Sequence, residues 1–193
     1  MRTALAVMRT QPLHKGHCWI IGEMIQQADT VIVGLGSADK AASRSNPFTV
    51  DLRIEQIKNV FGKRVKCIPF NDLGATPDKS DWIDYVLQKI GALGLPHPTD
   101  YYTGSKADAI WYSQRFFNPT MASDDMKLDQ RFYDPTETQL RLLHIMDRDS
   151  NTFPSATELR AFIELRSDEW KQYVPAVNHE LIEENYPTKF LVG

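Results

Sequence analysis

Residues 3–17 read TALAVMRTQPLHKGH, and this stretch decides the fold. Thr3–Met8 is a continuous apolar run, as expected for a strand covered on both faces. A helical pattern begins at once after His14-Lys15-Gly16-His17. Two histidines three apart in the first turn of a helix lie on neighbouring positions of one face. They stand where the free N–H groups of a helix start favour an anion. Gly16 between them removes a side chain where a ligand would approach the backbone. Imidazoles there donate hydrogen bonds to phosphate oxygens, more strongly as charge grows in a transition state. From the five His and ten Gly of the chain, H-x-G-H arises by chance with a probability of roughly 0.7%. A metal pair is the weaker reading, because two ligands alone make no site and no Cys, Asp or Glu lies at helical spacing from them.

The same alternation continues outward. Cys18–Ala28 places Ile20, Ile21, Met24, Ile25 and Ala28 at helical spacing, and Thr30–Gly36 is a second apolar run. A helical stripe over Asp51–Phe61 precedes a strand over Val65–Phe70, and a stripe over Asp81–Leu93 precedes Asp100–Thr103. A further helix is expected near Ser105 and a fifth strand at Leu140–Met146. Strand–helix alternation of this kind predicts an α/β fold, a doubly wound parallel sheet with ligands beyond the carboxyl ends of its strands. The polar segments Ala38–Thr49 and Asn118–Glu137 read as loops, and the chain is expected to be helical from Ser155 to Glu184.

The 193 residues fit a single domain, 1–193, with residues 154–186 as its C-terminal helical part. With 22 Lys+Arg against 25 Asp+Glu the net charge is −3, which argues against a protein that wraps nucleic acid. No apolar run reaches the roughly 18 residues of a membrane span, and no secretory leader pattern is evident. Cys18 and Cys67 form no ligand cluster and read as reduced thiols of a cytoplasmic protein.

A second constellation is Ser155-Ala156-Thr157-Glu158-Leu159-Arg160 after Pro154. Ser155 with Glu158 is a capping-box pattern, a purely structural helix start. The two hydroxyls with the free N–H groups, and Arg160 one turn in, also make a polyphosphate cradle. Two such helix starts beyond one parallel sheet suggest a nucleoside triphosphate.

These residues resemble the nucleotidylyltransferase superfamily, which carries H-x-G-H after its first strand and an S-x-T-x-x-R-like motif late in the chain, on a Rossmann-like sheet. Within it the sequence is most similar to archaeal-type nicotinamide mononucleotide adenylyltransferases. The family's G-R-F-Q-P-x-H-x-G-H stands here as Met8–His17, its G-S-A as Gly36-Ser37-Ala38, and its N-P-F-T and Arg as Asn46-Pro47-Phe48-Thr49 and Arg53. Its Trp on the third helix matches Trp82, and its closing pattern matches Trp170, Val174, Pro175 and Val177. Residues 114–140 are longer than the family pattern.

The resemblance implies adenylyl transfer from ATP to nicotinamide mononucleotide, with Mg2+ carried mainly by the triphosphate and no metal held by protein ligands. It implies that His14, His17 and Arg160 are catalytic, the histidines at the α-phosphate and Arg160, with Ser155 and Thr157, at the departing phosphates. Arg9 would contact phosphate near the reacting centre, Trp82 would stack on the nicotinamide with Phe48 nearby, and Thr10, Gln11, Gly16, Asn46 and Arg53 would complete the binding set. Met8 and Thr10 replace the family's Gly and Phe, Ser45 replaces a basic residue, and Lys79 replaces an Asn. The last two lie on the acceptor side, which leaves nicotinate mononucleotide or phosphopantetheine as alternative acceptors. A nucleotide-sensing protein without turnover is the rival from another class. Small-molecule substrates, no nucleic acid and no membrane are the expected partners, and a homo-oligomer is compatible with the four tryptophans.

Overall fold

A computed structural model describes residues 1–74, 79–104, 130–133, 140–146 and 153–192. The expected helix near Ser105, Trp111, most of 114–140, Asp147 and Arg148 lie outside these residues. Among the described residues six strands form one sheet: β1 (Thr3–Met8), β2 (Thr30–Leu35), β3 (Lys66–Pro69), β4 (Asp100–Thr103), β5 (Gln130–Tyr133) and β6 (Leu140–Ile145). Their order is β3-β2-β1-β4-β6-β5. The first five in that order run parallel, with Thr3 opposite Thr30, Ala4 opposite Asp100 and Asp100 opposite Leu142.

Helix α1 (Lys15–Gln27), α2 (Val50–Phe61) and α3 (Lys79–Ala92) make the crossovers. Alternate residues of β1 serve opposite faces, as the period of a strand requires. Leu5 joins Ile32, Ile68 and Tyr101 under Ile83, Val86 and Ile90 of α3. Ala4 and Ala6 join Val31 and Val33 against Ile20, Ile21 and Met24 of α1 and Ile57 and Phe61 of α2. In β2, a Cβ on Gly34 would meet the Phe70 ring at 2.5 Å and Val7 Cγ2 at 2.8 Å, so only glycine lets that ring lie on the sheet.

Two expectations are corrected. Part of the polar segment Asn118–Glu137 is strand β5, antiparallel to β6 with Gln130 opposite Leu143 and Tyr133 opposite Leu140. Four residues at a sheet edge leave no periodicity to read, and their partner strand defines them. The C-terminal part is not one long helical run. Helix α4 (Ala156–Glu164) ends at Leu165, Arg166 takes φ 54°, and short 3-10 turns at Asp168–Gln172 and Ala176–Asn178 lead to α5 (His179–Asn185). A left-handed residue and Pro175 each stop helix propagation. The bends fold Trp170, Val174, Ile182 and Tyr186 onto Leu159, Ile163 and Phe48, forming a third apolar cluster.

Candidate functional site

The start of α1 is built by the two histidines themselves. His14 is the N-cap, with φ −133° and ψ 171°. Its Nδ1 accepts the N–H of Gly16 at 3.1 Å, and its side chain also accepts from the backbone of His17. His17 Nδ1 in turn accepts the N–H of His14 at 3.4 Å, which closes a capping box made of imidazoles. The Lys15 N–H donates to Tyr173 O at 2.7 Å. This start is therefore satisfied from within the protein, unlike the open anion cradle expected from the sequence. A nitrogen that accepts from a backbone N–H carries no proton, so in each neutral imidazole the proton sits on Nε2. The rings lie 3.8 Å apart between centroids, inclined by 33°. A Cβ at Gly16 would meet His14 Cε1 at 3.0 Å, so glycine there leaves room for the histidine ring.

The second helix start is also capped. Ser155 Oγ accepts the Glu158 N–H at 3.3 Å, while Glu158 Oε2 accepts from Ser155 N at 2.7 Å and from Ser155 Oγ at 2.8 Å. These bonds hold the Glu158 carboxyl below its ordinary range. Arg160, one turn on, donates through Nη1 to Gln11 O at 2.9 Å and through Nη2 to Thr157 Oγ1 at 3.0 Å. The two motifs, 149 positions apart at Gln11 and Arg160, are thus tied directly together.

A cavity of about 820 Å³ opens where β1, β2, β3 and β4 end. It brings together Arg9, Thr10, Gln11, His14, His17, Trp82, Ser155, Thr157 and Arg160. Gly16, Asn46, Phe48 and Arg53 stand outside its wall. Phe48 is fully buried in the third apolar cluster, edge-on to Tyr186 with ring centroids 5.8 Å apart. Gln11 clasps the main chain of that residue, donating to Phe48 O at 3.0 Å and accepting Phe48 N–H at 2.9 Å. Asn46 is buried, its N–H donating to Ser43 O at 3.1 Å. Arg53 has no exposed surface, and its guanidinium donates to the carbonyls of Arg9, Gly36 and Ser37 at 2.9, 2.8 and 3.2 Å. Burial and then the neighbouring Arg9 cation lower its pKa. It joins the loops after β1 and β2 from beneath. Thr10 lies in the left-handed region at φ 46°, a strain of about 1–3 kcal/mol for such a residue that the buried surroundings hold in place.

The cavity wall also carries groups that the sequence reading did not count among its site residues. Ser37 Oγ donates to the Asp72 carboxylate at 3.0 and 3.2 Å, and Lys40 forms an ion pair with Asp72. All three line the cavity. Positions just past the carboxyl end of a parallel strand are the available signal, since Ser37 follows β2 and Asp72 follows β3. No group of three or more His, Cys, Asp or Glu among the described residues is placed to hold a metal, and no described helix is long and apolar enough to cross a membrane.

Residues 9–162 match the cytidylyltransferase-like family. A nicotinamide-nucleotide adenylyltransferase of Methanolobus tindarius is 27% identical over 187 residues, covering 95% of this chain and 89% of that protein. The enzyme of the same name from Pyrococcus horikoshii is 36% identical over 120 residues, 60% of each chain. Among solved structures, the NadR protein in complex with NR superposes with a TM-score of 0.63 at 18% identity, over 92% of this chain. A bifunctional NMN adenylyltransferase/ADP ribose pyrophosphatase from Francisella tularensis, complexed with AMP and a manganese ion, gives 0.58 at 20% identity over 90% of the chain. The chain spans 45% and 44% of those two solved chains, and at these identities the superpositions show a shared fold alone.

Proposed function

The chain belongs to the cytidylyltransferase-like family of nucleotidyltransferases, and from that premise we propose that it transfers the adenylyl group of ATP to nicotinamide mononucleotide, yielding NAD+ and pyrophosphate. The observation that carries this reading is that His14, His17 and Arg160 line one cavity together with Trp82. The named relatives over most of the chain support the same reaction.

The acceptor's 5′-phosphate is already a competent nucleophile at neutral pH, so the protein needs no activating base. One of its oxygens attacks the α-phosphorus of ATP in line, the bond from that phosphorus to the bridging oxygen breaks, and pyrophosphate leaves with the electron pair. Catalysis is then alignment plus stabilisation of charge on the α-phosphoryl oxygens. His14 and His17 donate from Nε2 to those oxygens. Their backbone-held Nδ1 atoms fix the tautomer in advance, so no reorganisation accompanies the reaction. Arg160, preset by Gln11 O and Thr157, takes the departing phosphates together with Ser155 and Thr157. Arg9 neutralises phosphate charge at the end of β1, and Trp82 stacks on the pyridine ring. Mg2+ would be carried by the triphosphate and would shield its charge there, and a wall with Arg9, Lys40 and Arg160 beside Asp72 fits a metal brought by the nucleotide.

The test incubates the protein with ATP, Mg2+ and each candidate acceptor separately, and resolves dinucleotide and pyrophosphate by chromatography. NAD+ forming fastest from nicotinamide mononucleotide is the expected result. A faster reaction of nicotinate mononucleotide or phosphopantetheine would keep the phosphate chemistry and reassign the Trp82 side. Binding of ATP without any product would replace the enzyme with a sensor.

A further inference from the structure

Three successive main-chain N–H groups at the start of α1 find acceptors on three separate parts of the fold. Leu13 N–H donates to Gln56 Oε1 of α2 at 2.9 Å, His14 N–H to His17 Nδ1 at 3.4 Å, and Lys15 N–H to Tyr173 O at 2.7 Å. The backbone of His14 is thereby held on both sides. Gln56 is itself anchored, since Asn178 Nδ2 donates to its main-chain carbonyl at 3.0 Å and Asn59 Nδ2 donates to Asn178 Oδ1 at 3.0 Å. Gln56 and Asn178 have no exposed surface.

The side-chain amide of Gln56 is used on one side only. Its oxygen takes the Leu13 N–H, while its Nε2 is buried with no hydrogen-bond partner among the described residues. A buried, unpaired N–H group is unfavourable, so an apolar residue of the same length would serve packing better. What an amide supplies there and methionine does not is a fixed acceptor one residue before His14.

We propose that Gln56 is a positioning residue for His14, held in register by Asn178, so that the turn Ala176–Asn178 is part of the reaction apparatus although it lies outside the cavity wall. The assignment rests on the adenylyl-transfer reading above. Its agency is indirect: it fixes the Leu13–His14 peptide, and with it the direction of the His14 ring.

The test is Gln56→Met in the full chain, followed by kinetics, thermal melting and the long-range 1H–15N NMR pattern of the histidine rings. The expected result is a fall of about tenfold in kcat, with KM for both substrates within about twofold and a melting point within a few degrees of the parent, because the unpaired Nε2 disappears together with the lost bond. The His14 ring is expected to move from a single Nε2–H tautomer towards a mixture, while His97 is unchanged. Gln56→Glu, which keeps an oxygen facing Leu13 N–H, is expected to restore the His14 pattern and most of kcat. Unchanged kcat and an unchanged His14 ring overturn the proposal. Loss of folded protein in Gln56→Met also overturns it, since Gln56 is then a stability residue. If the parent makes no dinucleotide at all, adenylyl transfer fails, and the His14 ring pattern still decides the role of Gln56.

Discussion

Replacing His17 by alanine separates catalysis from folding more cleanly than any other change in the cavity. The His17 Nδ1 accepts the His14 N–H at 3.4 Å, and at that length the bond is weak. Its loss costs well under about 1 kcal/mol, and the better helix propensity of alanine inside α1 offsets about 0.5 kcal/mol of it. Global stability is therefore expected to stay within about 1 kcal/mol, a melting shift of about 2–4 °C for a chain of this size. The imidazole is also one of the two Nε2–H donors proposed for the α-phosphoryl oxygens. Removing one preorganised donor of this kind lowers kcat by about 10²–10³, or about 2.7–4 kcal/mol. The transition-state term exceeds the folding term several-fold. His14→Ala would blur the two, because it also removes the N-cap, worth about 0.5–2 kcal/mol. The assay is initial-rate formation of NAD+ at saturating ATP and acceptor, with KM for each substrate expected within about threefold of the parent. A kcat within fivefold of the parent, or a loss matched by collapse of the melting point, would refute the assignment.

Trp82→Ala is expected to raise KM for the mononucleotide by about 10- to 100-fold, as loss of a stacking worth about 1–3 kcal/mol requires, with KM for ATP unchanged; a rise confined to ATP would place the adenine there instead. At the amino end of β4, burial raises the pKa of Asp100, but hydrogen bonds from His144 (3.0 Å), Arg2 and Thr99 (2.7 Å) outweigh it and hold the carboxyl well below its ordinary 3.8. A lowered folded-state pKa means stability that is present above the unfolded value and lost as pH falls below it. Asp100→Asn should destabilise the protein by about 2–4 kcal/mol at pH 7 and flatten the acid limb of a urea-unfolding series; a parallel limb in the variant would exclude Asp100 as its source. Burial pushes the Cys18 thiol up to about 12 and Cys67 to about 11. Both should therefore resist a thiolate-specific reagent at pH 7.5 until the protein is unfolded, and rapid labelling of the native protein would contradict this burial.

Much of the sheet was legible because strand and helix periods are properties of neighbouring residues. Thr3–Met8 and Asp100–Thr103 are strands over the residues read from the sequence, and the stripe of Ile20, Ile21 and Met24 is buried. His144, within the apolar run of β6, pairs with Asp100 and stacks on Tyr102 with centroids 4.2 Å apart. His179 Nε2 donates to Val174 O at 3.0 Å and its ring meets Trp170 edge-on. Strand β5 and the contacts of Leu13 with Gln56 and of Lys15 with Tyr173 were hidden, since each depends on a partner that only folding brings close.

The sequence by itself determined the alternation of strands and helices, the apolar stripes, and the chemistry present at each motif: two imidazoles, a guanidinium, two hydroxyls and an indole. Only the tertiary structure decided how that chemistry is deployed. It set Phe48 and Arg53 outside the cavity wall, added Ser37, Lys40 and Asp72 to that wall, and tied Arg160 to the main chain of Gln11. Periodicity and propensity act over a few residues, whereas burial and the identity of a hydrogen-bond partner are settled by groups brought from afar. Gln56 meets Leu13 across 43 positions and Arg160 meets Gln11 across 149.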